Sequence, residues 1–158
     1  MSSARKEVAS WDDTFMAIAA NVAMRSKDPH TQVGACIASV DKRVLSLGYN
    51  GTPRGWSDDD FPWGKNSGFP LQNKHLFVVH AERNAILNYR GSLTDFKGAV
   101  LYSTHYPCNE CAKEIVQVGI DKVIYINGPR LFRDEDDAAT MIFNKARVSY
   151  DRYGRGHG

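Results

Sequence analysis

No stretch of the 158-residue chain holds the roughly 18 to 20 consecutive apolar residues that a membrane-spanning helix needs. The first ten residues lack an apolar core ahead of a small-residue cleavage site, so they do not read as a secretory signal, and the expected compartment is the cytosol. Charge of one sign is scarce: 20 basic against 18 acidic side chains leave a formal net charge of +2. Nucleic acid is therefore not an expected partner, because polyanion binders carry a clear basic excess, although a small anionic ligand remains open. There is no internal repeat and no low-complexity segment. Cysteine is scarce as well, and 3 residues are too few and too odd in number for a disulfide framework. The length suits one hydrophobic core, so a single domain over 1–158 is expected, with its core over about 11–150.

What is present reads as alternating elements. Residues 11–25 place Phe15, Ile18, Ala19, Val22 and Ala23 on one helical stripe, with Asp12 and Asp13 in a first turn where the helix dipole favours acids. Residues 33–40 and 44–49 read as a hairpin of strands. From 51 to 74, glycines and prolines without any sustained period predict a long ordered loop. Helices are expected over 81–89, 108–118 and 138–146, strands over 99–103, 122–126 and 147–150, and a loose glycine-rich tail over 151–158. Helices alternating with strands predict an α/β, three-layer domain.

Two motifs carry chemistry, and both fall where a strand or loop turns into a helix: His80-Ala81-Glu82 and Pro107-Cys108-Asn109-Glu110-Cys111. Thiolates three residues apart lie on one face of a first helical turn, and an imidazole from a second helix makes a third ligand, which leaves tetrahedral zinc one position for water. Glu82 is then placed to move protons rather than to bind metal. An H-x-E followed by P-C-x-x-C is the signature of zinc nucleobase deaminases. Two other readings of the cysteine pair exist: a redox dithiol, and a closed structural zinc site that would need a fourth ligand. Cys36, in the middle of an apolar strand, reads as a buried, inert thiol instead.

Further segments make the chain resemble the deoxycytidylate (dCMP) deaminases over about residues 11–150. They are Arg25-Ser26-Lys27-Asp28-Pro29, Gln32-Val33-Gly34-Ala35-Cys36, Gly48-Tyr49-Asn50-Gly51, the His80 motif, Asn84-Ala85-Ile86 and residues 107–113. The resemblance implies a cytidine-deaminase-like α/β/α fold with a mixed five-stranded sheet. It implies hydrolysis of dCMP to dUMP and ammonia in the supply of dTTP precursors, activation by dCTP, inhibition by dTTP, and a homo-oligomer, commonly a hexamer. It also assigns roles. His80, Cys108 and Cys111 would hold one Zn2+ per subunit, which activates the water that attacks C4, and Glu82 would shuttle protons to N3 and to the departing ammonia. Backbone around Gly34 and Ala35, and at Ala81, would read the pyrimidine edge, and Asn50 would meet the sugar hydroxyl. Gly48, Tyr49, Asn50 and Gly51 match the family's effector motif, although a strand ending in a glycine turn would look the same.

Arg25, Ser26 and Lys27 offer two cations and a hydroxyl to the 5′ phosphate, as would a solvated helix end. The segment 127–132 lacks the tyrosine associated with relatives, so Phe132 or Tyr106 becomes the candidate for stacking on the base, with a core or interface role as the other reading. Arg83 reads as an exposed or interface charge, His105 and His157 as bystanders, and His30 as either part of the phosphate-candidate region or a surface residue. Trp56 and Trp63 read as packing residues. The acidic run Asp58 to Asp60 is either a solvated loop or a seat for Mg2+ beside a bound triphosphate. A deaminase of tRNA adenosine, free cytosine or a nucleoside would share this chemistry, whereas a zinc-binding module without turnover would have no use for Glu82.

Overall fold

The computed structural model describes residues 2–154. Of the expected tail, residues 155–158, His157 among them, lie outside the described residues, as does Met1. Helix α1 (Trp11–Ala23) starts where the Ser10 side chain accepts a hydrogen bond from the Asp13 N–H at 3.0 Å. It ends two residues before the expected boundary, because the N–H groups of Met24, Arg25 and Ser26 turn back onto carbonyls three residues earlier, the tightening common at helix ends. Strands β1 (Gly34–Ala38) and β2 (Val44–Tyr49) form the expected hairpin, with a bulge at Ile37/Ala38 and Lys42 at φ 67° in its turn.

The remaining elements are α2 (Ala81–Asn88), β3 (Val100–His105), α3 (Asn109–Gln117), β4 (Lys122–Asn127), α4 (Asp134–Ala146) and β5 (Ser149–Arg152). Two boundaries differ from expectation for local reasons. Asp134, Glu135, Asp136 and Asp137 form the first turn of α4, four residues earlier than the apolar period predicts, and acids there complement the dipole. Arg147 closes α4 in the left-handed region at φ 59°, so β5 starts only at Ser149. Residues 151–154 are consequently not a loose tail. Asp151 and Arg152 pair with β4, the Tyr153 N–H donates to the Tyr125 carbonyl at 2.7 Å, and the Tyr153 hydroxyl donates to Asp13.

The five strands make one mixed sheet in the order β2-β1-β3-β4-β5, with β1 antiparallel to both neighbours and β3, β4 and β5 parallel. Alternation along the strands splits the core into two layers. Cys36, Ala38, Tyr102 and Ile124 face α1 through Phe15, Met16 and Ala19. Ala35, Ile37, Leu101 and Val123 face Ala81, Ala85, Cys111, Ala112, Ile115, Ala139 and Phe143 of the other helices. This is the expected α/β/α layering. Two glycines allow it: a Cβ on Gly34 would lie 1.9 Å from the Ala19 carbonyl oxygen of α1, and one on Gly48 would lie 2.3 Å from the Ala85 nitrogen of α2.

The long loop after β2 is built around a box of rings, Trp56, Phe61, Trp63 and Phe77, and two short 3₁₀ turns, Pro70–Gln72 and Lys74–Leu76, lead from it towards α2. Trp56 and Trp63 are thus packing residues, as expected. Among the described residues no helix is long and apolar enough to cross a membrane.

Candidate metal centre and the cavity beside it

Two helix N-termini meet at the carboxyl end of β3. His80 is the extended residue just before α2, Cys108 the extended residue just before α3, and Cys111 lies in the first turn of α3. The His80 Nδ1 is 3.4 Å from the sulfur of Cys108 and 3.4 Å from that of Cys111. All three ligand atoms lie within 4.8 Å of one another. Tetrahedral zinc with bonds of about 2.0 to 2.3 Å separates its ligands by roughly 3.5 Å, so the spacing fits. So does the chemistry, because two sulfurs and an imidazole nitrogen are a donor set that selects zinc.

The three side chains shift one another's titration. Cys108 is pushed down to about 4, first by the hydrogen bond from Cys111 and then, against its burial, by His80. Its partner moves the other way: Cys111 is held well above the usual thiol range by that same bond to Cys108, by burial and by the nearby Glu82 carboxylate. His80 is raised, chiefly by its bond to Cys108, with burial opposing. Two sulfurs and an imidazole this close together are a donor set that a divalent cation favours, because a bound metal stabilises the thiolate form of its ligands.

Glu82 is 4% exposed in the first turn of α2, and its Oε1 accepts a hydrogen bond from the Ser103 hydroxyl at 2.8 Å. Sequence reasoning missed Ser103. The available signal was a hydroxyl two residues after Leu101 on the face of β3 that α2 and α3 cover. Arg83 is the surface charge expected of it, pairing through its Nε with Glu114 of α3 at 2.7 Å and so tying together the two helices that present the ligands. His105 is turned away to the Thr104 hydroxyl at 2.9 Å and is not part of the ligand group.

Several expected substrate residues lie elsewhere. Arg25 and Lys27 line a cavity of about 360 Å3 together with Tyr49, Gly51, Thr52, Arg54, Asp58, Asn84 and Asn88, none of them a ligand of the metal group. Ser26 is turned inward instead, its hydroxyl donating to the Asn50 carbonyl at 2.9 Å. The Asn50 amide is committed to the fold: its oxygen accepts from the Val33 N–H at 2.8 Å, and its nitrogen donates to the Thr31 carbonyl at 2.9 Å and to Asp28 at 3.4 Å. It braces the 26–33 connection.

The Gly34 N–H is taken by the Thr104 hydroxyl at 3.1 Å, and Ala35 sits between Gly48 and Ser103 in the sheet. Of the proposed base-edge readers, Ala81 keeps the most suitable position, opening α2 where backbone N–H groups have no partner within the helix.

The two stacking candidates lie in different surroundings. Tyr106 is a core residue, 6% exposed, with its ring against Tyr125, Phe143 and Tyr150 and its hydroxyl bonded to Thr140. Phe132 is 97% exposed in the isolated chain, at φ 60° in the connection from β4 to α4. Of the effector motif, Tyr49 and Gly51 line the cavity, whereas Gly48 is a glycine because α2 packs against it. Inside the cavity Lys27 is paired with Asp58 at 2.9 Å, and the other Asp58 oxygen accepts from the Thr52 hydroxyl at 2.9 Å. Cys36 is fully buried and pushed up to about 12 by that burial, the inert thiol expected.

Comparison with known proteins agrees with this geometry. The family model of the cytidine and deoxycytidylate deaminase zinc-binding region matches residues 9–127. A probable deoxycytidylate deaminase of Drosophila melanogaster is 47% identical over 154 residues, covering 94% of this chain and 75% of that protein. The deoxycytidylate deaminase of Homo sapiens is 44% identical over 149 residues, with 94% and 83% covered. A crystal structure of dCMP deaminase from the cyanophage S-TIM5, in complex with dCMP and dUMP, is similar with a TM-score of 0.64 and 28% identity, covering 88% of this chain and 93% of that one.

Proposed function

The chain belongs to the family of cytidine and deoxycytidylate deaminases with a zinc-binding region, and from that membership we propose that it hydrolyses dCMP to dUMP and ammonia. The observation that carries the proposal is a buried carboxylate, Glu82, held beside a group of two sulfurs and one imidazole that gives zinc three protein ligands. His80, Cys108 and Cys111 would hold zinc, which would supply an acidified water as the nucleophile for C4 of the cytosine ring.

Glu82 does the proton work. It accepts the two protons of that water in turn, delivering one to ring N3 and the other to the amino nitrogen, so that ammonia leaves and the base becomes uracil. The N-termini of α2 and α3 direct the positive ends of their dipoles at the same place, which favours thiolate ligands and negative charge developing on the ring. Ala81, at the head of α2, supplies a backbone contact to the pyrimidine edge.

The regulation we infer is activation by dCTP and inhibition by dTTP at the cavity lined by Arg25, Lys27 and Tyr49, in a homo-oligomer, a hexamer on the family's pattern, that serves dTTP supply in the cytosol. Arg25, Lys27 and Arg54 give that cavity three cations for phosphates, and Asp58 offers a carboxylate to an accompanying Mg2+. Asn84 and Asn88 of α2 line it too, donating to the carbonyls of Tyr49 and Leu47 at 2.8 and 2.9 Å, so the helix that follows His80 also forms a wall of the effector cavity.

Ammonia release from cytosine, deoxycytidine, CMP, dCMP and dCTP, each with and without dCTP or dTTP as effector, tests both parts. Failure of dCMP to react refutes the activity, and rates indifferent to either triphosphate refute the regulation. Glu82→Gln is expected to keep zinc and lose nearly all turnover.

A further inference from the structure

Ser103 is wholly buried at the centre of the sheet, paired on one side with Ala35 of β1 and on the other with Tyr125 of β4. A backbone held on both sides cannot follow a moving side chain, so its hydroxyl is a stationary point. The direction of that hydroxyl is set as well. Its oxygen accepts from the His105 N–H at 3.4 Å, and its hydrogen is donated to Glu82 Oε1 at 2.8 Å. With Oε1 held by this bond, the rotation of the carboxyl group is fixed and Oε2 is the oxygen the anchor leaves uncommitted. Glu82 lies two residues after the ligand His80 in the first turn of α2, so its carboxylate stands on the helix that presents that ligand and is tied from the sheet by a fixed donor.

We propose that Ser103 is a positioning residue that divides the work of the two Glu82 oxygens, anchoring Oε1 so that Oε2 alone carries the proton between water and base. The inference rests on the reading of Glu82 as the proton carrier. A glutamate has three rotatable bonds, and an unanchored one would sample orientations in which neither oxygen faces the reacting atoms. The anchor costs little at the moment of reaction because strand pairing already holds it.

The test compares Ser103→Ala, Ser103→Val and Ser103→Thr with wild type and with Glu82→Gln, as zinc-loaded proteins. Ala and Val are expected to lower kcat about 10- to 100-fold with KM for dCMP and zinc content unchanged, which is the scale of a hydrogen bond to a charged group and of a misplaced catalytic group. Thr, which keeps the hydroxyl on a strand residue, is expected to restore most of kcat. A tetrahedral, hydrated analogue of the pyrimidine nucleotide should lose affinity for the Ala variant by the same factor as kcat/KM, while the product dUMP binds as before. Wild-type kcat in Ser103→Ala overturns the proposal. So does equal impairment of the Thr and Ala variants, or a fall in dUMP affinity or zinc content that matches the fall in rate, since each marks a merely structural role. An active Glu82→Gln would refute the proton-carrier reading itself, a result distinct from an active Ser103→Ala beside an inactive Glu82→Gln.

Discussion

Replacing Lys74 by methionine should unlock the braced segment that leads from α1 into the sheet. Lys74 is 6% exposed and its ammonium is bonded to Asp28, itself 2% exposed. The Asp28 carboxylate further accepts from the N–H groups of His30 at 2.8 Å and Thr31 at 3.3 Å and from the Asn50 amide at 3.4 Å. Methionine fills most of the volume but leaves this carboxylate buried without its cation. Breaking a buried pair from one side costs about 3 to 5 kcal/mol, and the surviving N–H donors place the expected loss near the lower figure. Against a typical total of about 5 to 15 kcal/mol that is a large fraction.

The pH dependence supplies the sign. Burial by itself pushes the Asp28 carboxyl up, but Lys74 and the two backbone N–H groups outweigh it and hold the group below its usual 3.8. A depressed carboxyl contributes stability that is complete above the unfolded value and is lost as pH falls through the folded value, here below about 4. In Lys74→Met the favourable partner is gone and burial raises the carboxyl, so the variant recovers part of its deficit as acid neutralises Asp28. Urea unfolding at one protein concentration, at pH 7 and pH 5, reads this out, with the double variant Asp28→Asn/Lys74→Met expected to be less destabilised than Lys74→Met alone. A deficit under about 1 kcal/mol at pH 7, or one that does not shrink towards pH 5, would refute the reasoning.

Three other outcomes are expected. Gly34→Ala puts a Cβ 1.9 Å from the Ala19 carbonyl, a backbone atom that cannot rotate away, and should cost about 3 kcal/mol or more by thermal unfolding. A chelator should abolish turnover and lower the melting temperature, with zinc restoring both, and Cys108→Ser should bind substoichiometric metal by elemental analysis. Tyr49→Ala, on the cavity wall, should change the response to dCTP and dTTP by a larger factor than it changes the rate without effector; equal loss of both would place Tyr49 at the substrate instead.

The metal group was legible because its information is local. Cys108 and Cys111 share a helical first turn by their spacing alone, and His80 with Glu82 opens another helix in the same way. The hairpin and the acidic first turn of α1 follow from patterns of the same short range, whereas the mixed sheet was expected from the family resemblance and not from periodicity. The assignments that moved are those in which a polar side chain could point outward to a ligand or inward to the protein. Arg25 and Lys27 look like phosphate contacts from their motif, yet they line a cavity apart from the metal ligands. Tyr106, beside the cysteine motif in sequence, is turned into a ring cluster built by β4, α4 and β5.

Sequence alone determined the two halves of the candidate zinc group, because the i, i+3 spacing puts Cys108 beside Cys111 and the start of α2 puts Glu82 beside His80, whereas packing brought the halves together across 28 and 31 positions. Only the tertiary structure decided the surroundings: Lys74 closing on Asp28 across 46 positions, Ser103 reaching Glu82 across 21, and Asn50 bracing Val33 across 17. A buried polar group must find a partner wherever packing offers one, and packing is settled by contacts between elements far apart in the chain.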